Sequence, residues 1–212
     1  FWPVCETAEL RFRFMIKLYG VRTSPYVRHA RIALAQSGLE WQLEQVTSDT
    51  IIKSPTRRVP FLTDGALILT DSSVIVRYIR EKAGQSFLET IADHELFALS
   101  TSVLDTAVNV FLMNVENSAD LAGVASGPST IGFSPRSYFE SQQARIGSGI
   151  QGLNDFKLSH AQPYNDGEIR LACLLDWAIY RGTIDISGLE SLERFLGGIR
   201  DWAPFTETAP NI

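Results

Sequence analysis

The stretch that most constrains the fold runs from Ile16 to Val46. Ile16–Tyr19 is short and apolar and stops at Gly20, which predicts a strand. Pro25 to Ser37 follows, with Val27, Ala30, Ile32, Ala33 and Leu34 apolar. Proline at the first helical position and Gly38 just past the end bracket a helix. Trp41–Val46 then alternates Trp41, Leu43 and Gln45 with Gln42, Glu44 and Val46, the two-residue period of a second strand. Strand, helix and strand within about thirty residues make a βαβ unit, whose strands are parallel.

The chain continues with two apolar runs, Pro60–Thr63 and Ala66–Leu69, flanking Asp64-Gly65. Asp-Gly in that setting predicts a two-residue hairpin turn with positive φ at both positions. Asp71-Ser72-Ser73 then precedes Val74, Ile75, Tyr78 and Ile79, a helix with an acidic, hydroxyl-rich start. From about Phe87 no strand pattern recurs. Glu89–Val115 reads as one long helix, residues 117–135 as a Ser/Gly/Pro-rich loop, and Ser134–Leu158 as a helix weakened by Gly147, Gly149 and Gly152. Asn165 and Glu168 form a capping box that opens IRLACLLDWAIY, apolar nearly all round. A final helix runs roughly from Leu189 to Trp202. The expected organisation is an α/β domain over residues 15–83 and an all-helical domain over residues 87–212. Residues 1–14, FWPVCETAELRFRF, fit neither part. They are expected to be a leader or an artificial segment ahead of a natural start at Met15, with a genuine N-terminal extension as the alternative.

Composition narrows the function. A net charge of −5 without any Lys/Arg-rich run argues against nucleic-acid binding. No apolar run approaches a membrane span, so no membrane association is expected. Two cysteines, Cys5 and Cys173, give no CxxC and no Cys/His cluster, so no metal is expected, and so sparse a set fits a reducing compartment. His29, His94 and His160 are scattered and no GxSxG occurs, which disfavours a serine hydrolase. Arg28 and Arg31 read as a solvated helix face or a dimer contact.

Four features together resemble the glutathione S-transferase superfamily: SPYVRHARIAL at Ser24–Leu34, SPTRRVPFL at Ser54–Leu62, Asp71-Ser72 opening a helix, and Asn165-x-x-Glu168 opening a buried helix. They occur in the family's order from Met15 onward. The resemblance implies a thioredoxin-like N-terminal domain followed by an all-helical C-terminal domain, a homodimer, and a cytoplasmic location. It implies a cis Val59-Pro60 peptide whose Val59 backbone bonds the cysteinyl part of glutathione, the co-substrate. Asp71 and Ser72 would hold the γ-glutamyl end at a helix N-terminus, where a carboxylate is favoured. Helix capping is the plain alternative for both residues. Arg58, rather than Arg57, matches the family's basic position and would pair the glycyl carboxylate; two solvated loop arginines are the alternative.

Ser24 stands immediately before Pro25, where redox-type relatives carry cysteine. A serine forms no mixed disulfide but donates a hydrogen bond to the glutathione thiolate. Thr23 ranks second for this role and Tyr19 third, a core aromatic being the alternative for Tyr19. Candidate residues around a small-molecule electrophile are Tyr26, Asn109, Phe111, Met113 and Asn114. The expected activity is a transferase that adds glutathione to that electrophile. A non-catalytic binding module on the same fold is the competing reading.

Overall fold

The computed structural model describes residues 15–120, 135–159 and 161–210, with the backbone alone at 115–120 and 135–137. The segment 1–14 with Cys5, most of the loop 117–135, and His160 lie outside the described residues. The chain divides into two compact units: the first runs to Phe87 and resumes at Asp201, and the second spans Leu88–Arg200.

The first unit holds β1 (Ile16–Gly20), α1 (Pro25–Ser37), β2 (Trp41–Gln45), a one-turn α2 (Ser48–Ile51), β3 (Phe61–Asp64), β4 (Leu67–Leu69), α3 (Ser72–Lys82) and α8 (Ala203–Glu207). The sheet order is β2-β1-β3-β4. β1 and β2 pair in parallel, as the βαβ pattern requires, and β3 and β4 add as antiparallel strands. This is a thioredoxin-like sheet. Leu18 and Leu62 face one side and pack with Val27, Ala30 and Leu34 of α1 and Ile75, Val76 and Ile79 of α3. Strand side chains alternate between faces, so Tyr19 and Phe61 point the other way. Their rings stack there at 4.3 Å.

The second unit is built, among its described residues, from helices: α4 (Ile91–Asp120), α5 (Pro135–Asn154), α6 (Asp166–Tyr180) and α7 (Glu190–Arg200). α6 is the buried centre, with Ile169 and Leu171–Leu175 all shielded from water. Its capping box is formed: Asn165 Oδ1 accepts from Glu168 N–H at 3.0 Å, and Glu168 Oε2 accepts from Asn165 N–H at 3.0 Å. The same Asn165 donates through Nδ2 to Asp93 Oδ1 at 2.9 Å, which fixes the start of α6 to the start of α4.

The structure revises several expectations. The hairpin turn is one residue later: Asp64 pairs with Leu67, leaving Gly65-Ala66 as the loop, and only Gly65, at φ 58, is left-handed. Asp64 stays in the strand. The long helix extends through Asp120, so residues 117–120 are helix rather than loop. The last expected helix is α7, and a further short helix follows it, because Trp202 is extended (φ −78, ψ 121) and the chain restarts with Pro204 in the first turn of α8.

Arg28 and Arg31 are not solvated; each is 4% exposed. Arg28 Nη2 donates to the Phe205 carbonyl at 2.8 Å and its guanidinium lies 3.7 Å from the Phe205 ring centroid. Arg31 Nη1 donates to the Thr208 carbonyl at 2.8 Å. The C-terminal segment therefore covers a helix face that looks exposed when the first eighty residues are read alone. The membrane expectation also changes. Ile91–Asn114, 24 residues of mean hydropathy 1.6, is long and apolar enough to cross a membrane by length and composition. Asp93, Glu95 and Asp105 interrupt it locally without lowering the average below that level. In this fold it is a core helix, burying Leu96, Phe97, Val103, Leu104, Ala107 and Val110.

Candidate glutathione-type site

Strand register brings the singled-out segments of the first unit to one end of its sheet. β1 ends at Gly20 and leads into Thr23-Ser24. β3 runs antiparallel to β1 with Phe61 opposite Tyr19, so Val59-Pro60 enters at that same end. β4 runs antiparallel to β3 with Leu69 opposite Leu62, so its exit into Asp71-Ser72 lies there too. Segments distant in sequence thus converge because each strand reverses or repeats the direction of its neighbour.

At this end Ser24 is the N-cap of α1 and is partly buried. Its Oγ accepts from Val27 N–H at 3.4 Å, a long bond. A capping serine uses a lone pair and keeps its O–H proton for another acceptor. Capping and ligand donation at Ser24 are therefore compatible. Thr23 is exposed. Tyr19 is 7% exposed, and its ring is engaged with Phe61 as a core aromatic.

The Val59-Pro60 peptide is cis. Among the described residues the Val59 N–H and C=O have no hydrogen-bond partner, while Val59 itself is half-buried. Two unsatisfied backbone groups beside a strand start form an edge on which a short extended peptide can pair. Arg57, at φ 51, and Arg58 lie in the exposed turn just before it. That turn is held by Arg57 N–H on the Ser54 carbonyl at 2.9 Å, with Ser54 fully buried. No ion-pair partner for Arg58 occurs among the described residues.

Asp71 caps α3: its Oδ1 accepts from Ser73 N–H at 2.8 Å and Val74 N–H at 3.1 Å. Two of the helix-start donors are thus already satisfied within the chain, and Oδ2 of this exposed residue has no bond among the described residues. Ser72, the first helical residue, is 8% exposed. One cation has no sequence signal pointing to it: Lys53, whose Nζ lies 5.8 Å from the Tyr19 ring centroid. It sits in an aperiodic link between β2 and β3.

Comparison with known proteins bears on this half directly. Residues 18–87 match the family model described as glutathione S-transferase, N-terminal domain. Over that domain the chain is similar to the glutathione S-transferase superfamily. It is 31% identical over 75 residues to glutathione S-transferase 4 of Zea mays, covering 32% of this chain and 34% of that protein. It is 29% identical over 81 residues to a stringent starvation protein A homolog of Haemophilus ducreyi, covering 36% and 38%. The matched region spans only about a third of these relatives' length. The fold likeness extends further. A glutathione S-transferase of Methylobacillus flagellatus, solved with glutathione bound, superposes with a TM-score of 0.73 at 22% identity over 92% of this chain and 99% of that one.

The sheet unit is braced at the opposite end of its sheet. Tyr78 and Lys82 of α3 both donate to Asp64 Oδ2 at 2.5 Å. Burial pushes the Asp64 carboxyl up, but the bonds from Lys82 and Tyr78 and the Lys82 charge outweigh it, and the carboxyl titrates below the ordinary range. Burial and the bond to Asp64 push the Tyr78 phenol up. The Asp64 bond raises Lys82 despite burial. This cluster fixes the axis of α3, whose other end carries Asp71-Ser72.

In the helical unit, Phe111 and Asn114 line a cavity of about 330 Å³ together with Val110, Ile146 and Arg181. Of the other residues expected around an electrophile, Asn109 is exposed, Met113 is half-buried, and Tyr26 belongs to α1 in the first unit. Among the described residues no His/Cys/Asp/Glu group could hold a metal ion.

Proposed function

We propose that this chain binds glutathione at the sheet end carrying Ser24, Val59 and Ser72, and adds its sulfur to a small electrophile. The observation that carries this reading is the convergence of a proton-bearing cap hydroxyl, an unpaired backbone edge and a helix N-terminus at one end of a thioredoxin-like sheet. Glutathione offers a matching set: a thiol, a central peptide and two terminal carboxylates.

In this assignment the cysteinyl N–H and C=O pair with the Val59 carbonyl and N–H. The γ-glutamyl carboxylate meets Ser72 at the positive end of α3, while Asp71 Oδ2 faces its ammonium group. Arg58 pairs the glycyl carboxylate. The Ser24 hydroxyl donates to sulfur and favours the thiolate over the thiol. The thiol proton leaves to solvent, the thiolate forms an S–C bond, and the electrophile either expels a leaving group or takes up a proton. The protein's own hydroxyl forms no covalent bond. The same reading carries a homodimer and a cytoplasmic location.

The second reading is a non-catalytic protein on this fold, because a fold alone does not imply catalysis and one relative of the matched domain is named for stringent starvation rather than for a transferase. Retention on immobilised glutathione separates the two. The wild type is expected to be retained and Asp71→Ala/Ser72→Ala to flow through. A wild type that is not retained leaves the non-catalytic reading standing.

A further inference from the structure

Given glutathione at the Ser24 end of the sheet, the reading on which this rests, we propose that Arg28 is a further thiolate-stabilising residue. It supplies a permanent cation, buried one turn into α1, that favours the ionised sulfur. Arg28 N–H donates to the Ser24 carbonyl at 3.0 Å, so the two residues sit on successive turns. The helical rise separates them by about 6 Å along the axis. Cα–Cβ bonds in a helix tilt toward its N-terminus, the end that Ser24 caps. A guanidinium is not deprotonated in proteins, so the charge is fixed. It is 4% exposed, donates through Nη2 to the Phe205 carbonyl at 2.8 Å and lies 3.7 Å from the Phe205 ring centroid. The C-terminal segment thereby keeps water from screening it, whereas an exposed charge is damped by solvent and salt.

Holding the end of α8 requires a donor but no charge, and Arg31 already donates to the Thr208 carbonyl at 2.8 Å. A neutral donor at position 28 would do the same without the cost of desolvating an ion. The charge has a use one turn away, where the chemistry creates an anion. At an effective dielectric typical of proteins, a unit charge about 10 Å off still shifts an ionisation by about one pH unit. The other charged groups around α1 are placed differently. Arg22 ahead of it, Lys53 and Arg58 in the link, Asp71 at α3 and Glu207 on α8 are exposed. Lys17 of β1 pairs with Glu44 at 3.6 Å, and Arg80 of α3 donates to Gln36 at the far end of α1 at 2.8 Å. His29 is fully buried on α1 itself, and Arg31 lies three residues further from Ser24.

Ultraviolet titration of the bound glutathione thiol on the full chain tests this. Arg28→Gln keeps a donor for the Phe205 carbonyl and loses the charge; the midpoint should rise by about one pH unit. Arg28→Met, which exchanges the ion for an apolar side chain, should do the same, and either variant suffices where the other does not fold. Arg28→Lys restores the charge and should bring the midpoint back toward the wild type. Phe205→Leu loosens the ring contact but leaves the charge and the carbonyl, so it should titrate near the wild type. The Arg28→Gln shift should persist in about 1 M salt, which an effect routed through the exposed cations would not. His29 is present in every variant and contributes equally to all. An unchanged midpoint in folded Arg28→Gln or Arg28→Met overturns the proposal. So does a rise in Phe205→Leu as large as theirs, the mark of a merely structural brace. Glutathione immobilised through its sulfur has no thiol to ionise, so both neutral variants should still be retained. Retention with an unchanged midpoint overturns this inference alone, whereas a wild type that is not retained removes the glutathione reading with it.

Discussion

At the scale of single residues, two hydroxyl-bearing side chains carry different tasks. Ser24 caps α1 through a lone pair, and its proton is the group expected to meet sulfur. Ser24→Ala should raise the titration midpoint of the bound glutathione thiol by about one pH unit, equivalent to about 1.4 kcal/mol, while changing affinity little. Ultraviolet thiolate absorbance of the complex reads this, and an unchanged midpoint moves the role to Thr23 or Tyr19. Tyr78 instead donates to Asp64, in a cluster with a defined pH window. The depressed Asp64 value stabilises the fold above the unfolded carboxyl pKa of about 3.9, and that contribution is lost as pH falls through the folded value. The raised Lys82 value gives a contribution present below about pH 10.4 and lost as pH rises through the folded value. Lys82→Met leaves burial as the chief influence on Asp64, so its carboxyl should titrate higher than in the wild type by NMR. An Asp64 that still titrates low would show that Tyr78 alone suffices.

At the scale of elements, glycine position decides the sign of a substitution. A Cβ at Gly149 of α5 would lie 2.3 Å from Val103 Cγ2 of α4, whereas one at Gly147 meets nothing within 4 Å. Alanine gains about 1 kcal/mol in helix propensity at either site. At Gly149 overpacking against a stiff β-branched side chain costs about 1–3 kcal/mol and wins. Chemical denaturation should therefore show Gly147→Ala stabilised and Gly149→Ala destabilised. The sequence shows only that both glycines weaken a helix; which one marks a close helix crossing depends on a partner in another helix. The same division explains what is readable elsewhere. β1, α1, β2, the hairpin strands and the Asn165–Glu168 cap announce themselves through local periodicity and cap chemistry. The turn is displaced by one residue because strand pairing, together with the demand of Tyr78 and Lys82 for an acceptor, keeps Asp64 in the ladder. Arg28 and Arg31 look exposed in sequence because their acceptors are backbone carbonyls, and a carbonyl has no sequence signature.

At the scale of the whole molecule, the first unit is discontinuous in sequence. Trp202, Phe205 and Thr208 are buried in the segment that completes it. Ending the chain at Arg200 would remove two large buried aromatics, each contributing about 3–5 kcal/mol, and strip carbonyl acceptors from two buried guanidinium groups. Such a truncation should abolish cooperative unfolding of the sheet unit and retention on immobilised glutathione, by circular dichroism and affinity chromatography. A truncated chain with an unaltered sheet-unit transition would show the segment to be dispensable. Arg58, Val59, Pro60, Asp71 and Ser72 are all nameable from local sequence, but their common location follows from register, which only the assembled sheet supplies.

The Arg28–Phe205 bond joins residues 177 positions apart. A ribosome builds from the amino end at about 5–20 residues per second, so α1 would emerge roughly 10–35 seconds before its carbonyl acceptors. During that interval the nascent domain has its strands but lacks its last cover, leaving two cations and an apolar helix face open to water or to a chaperone. Emergence of residues 201–210, rather than completion of the sheet, is then the event that seals the domain.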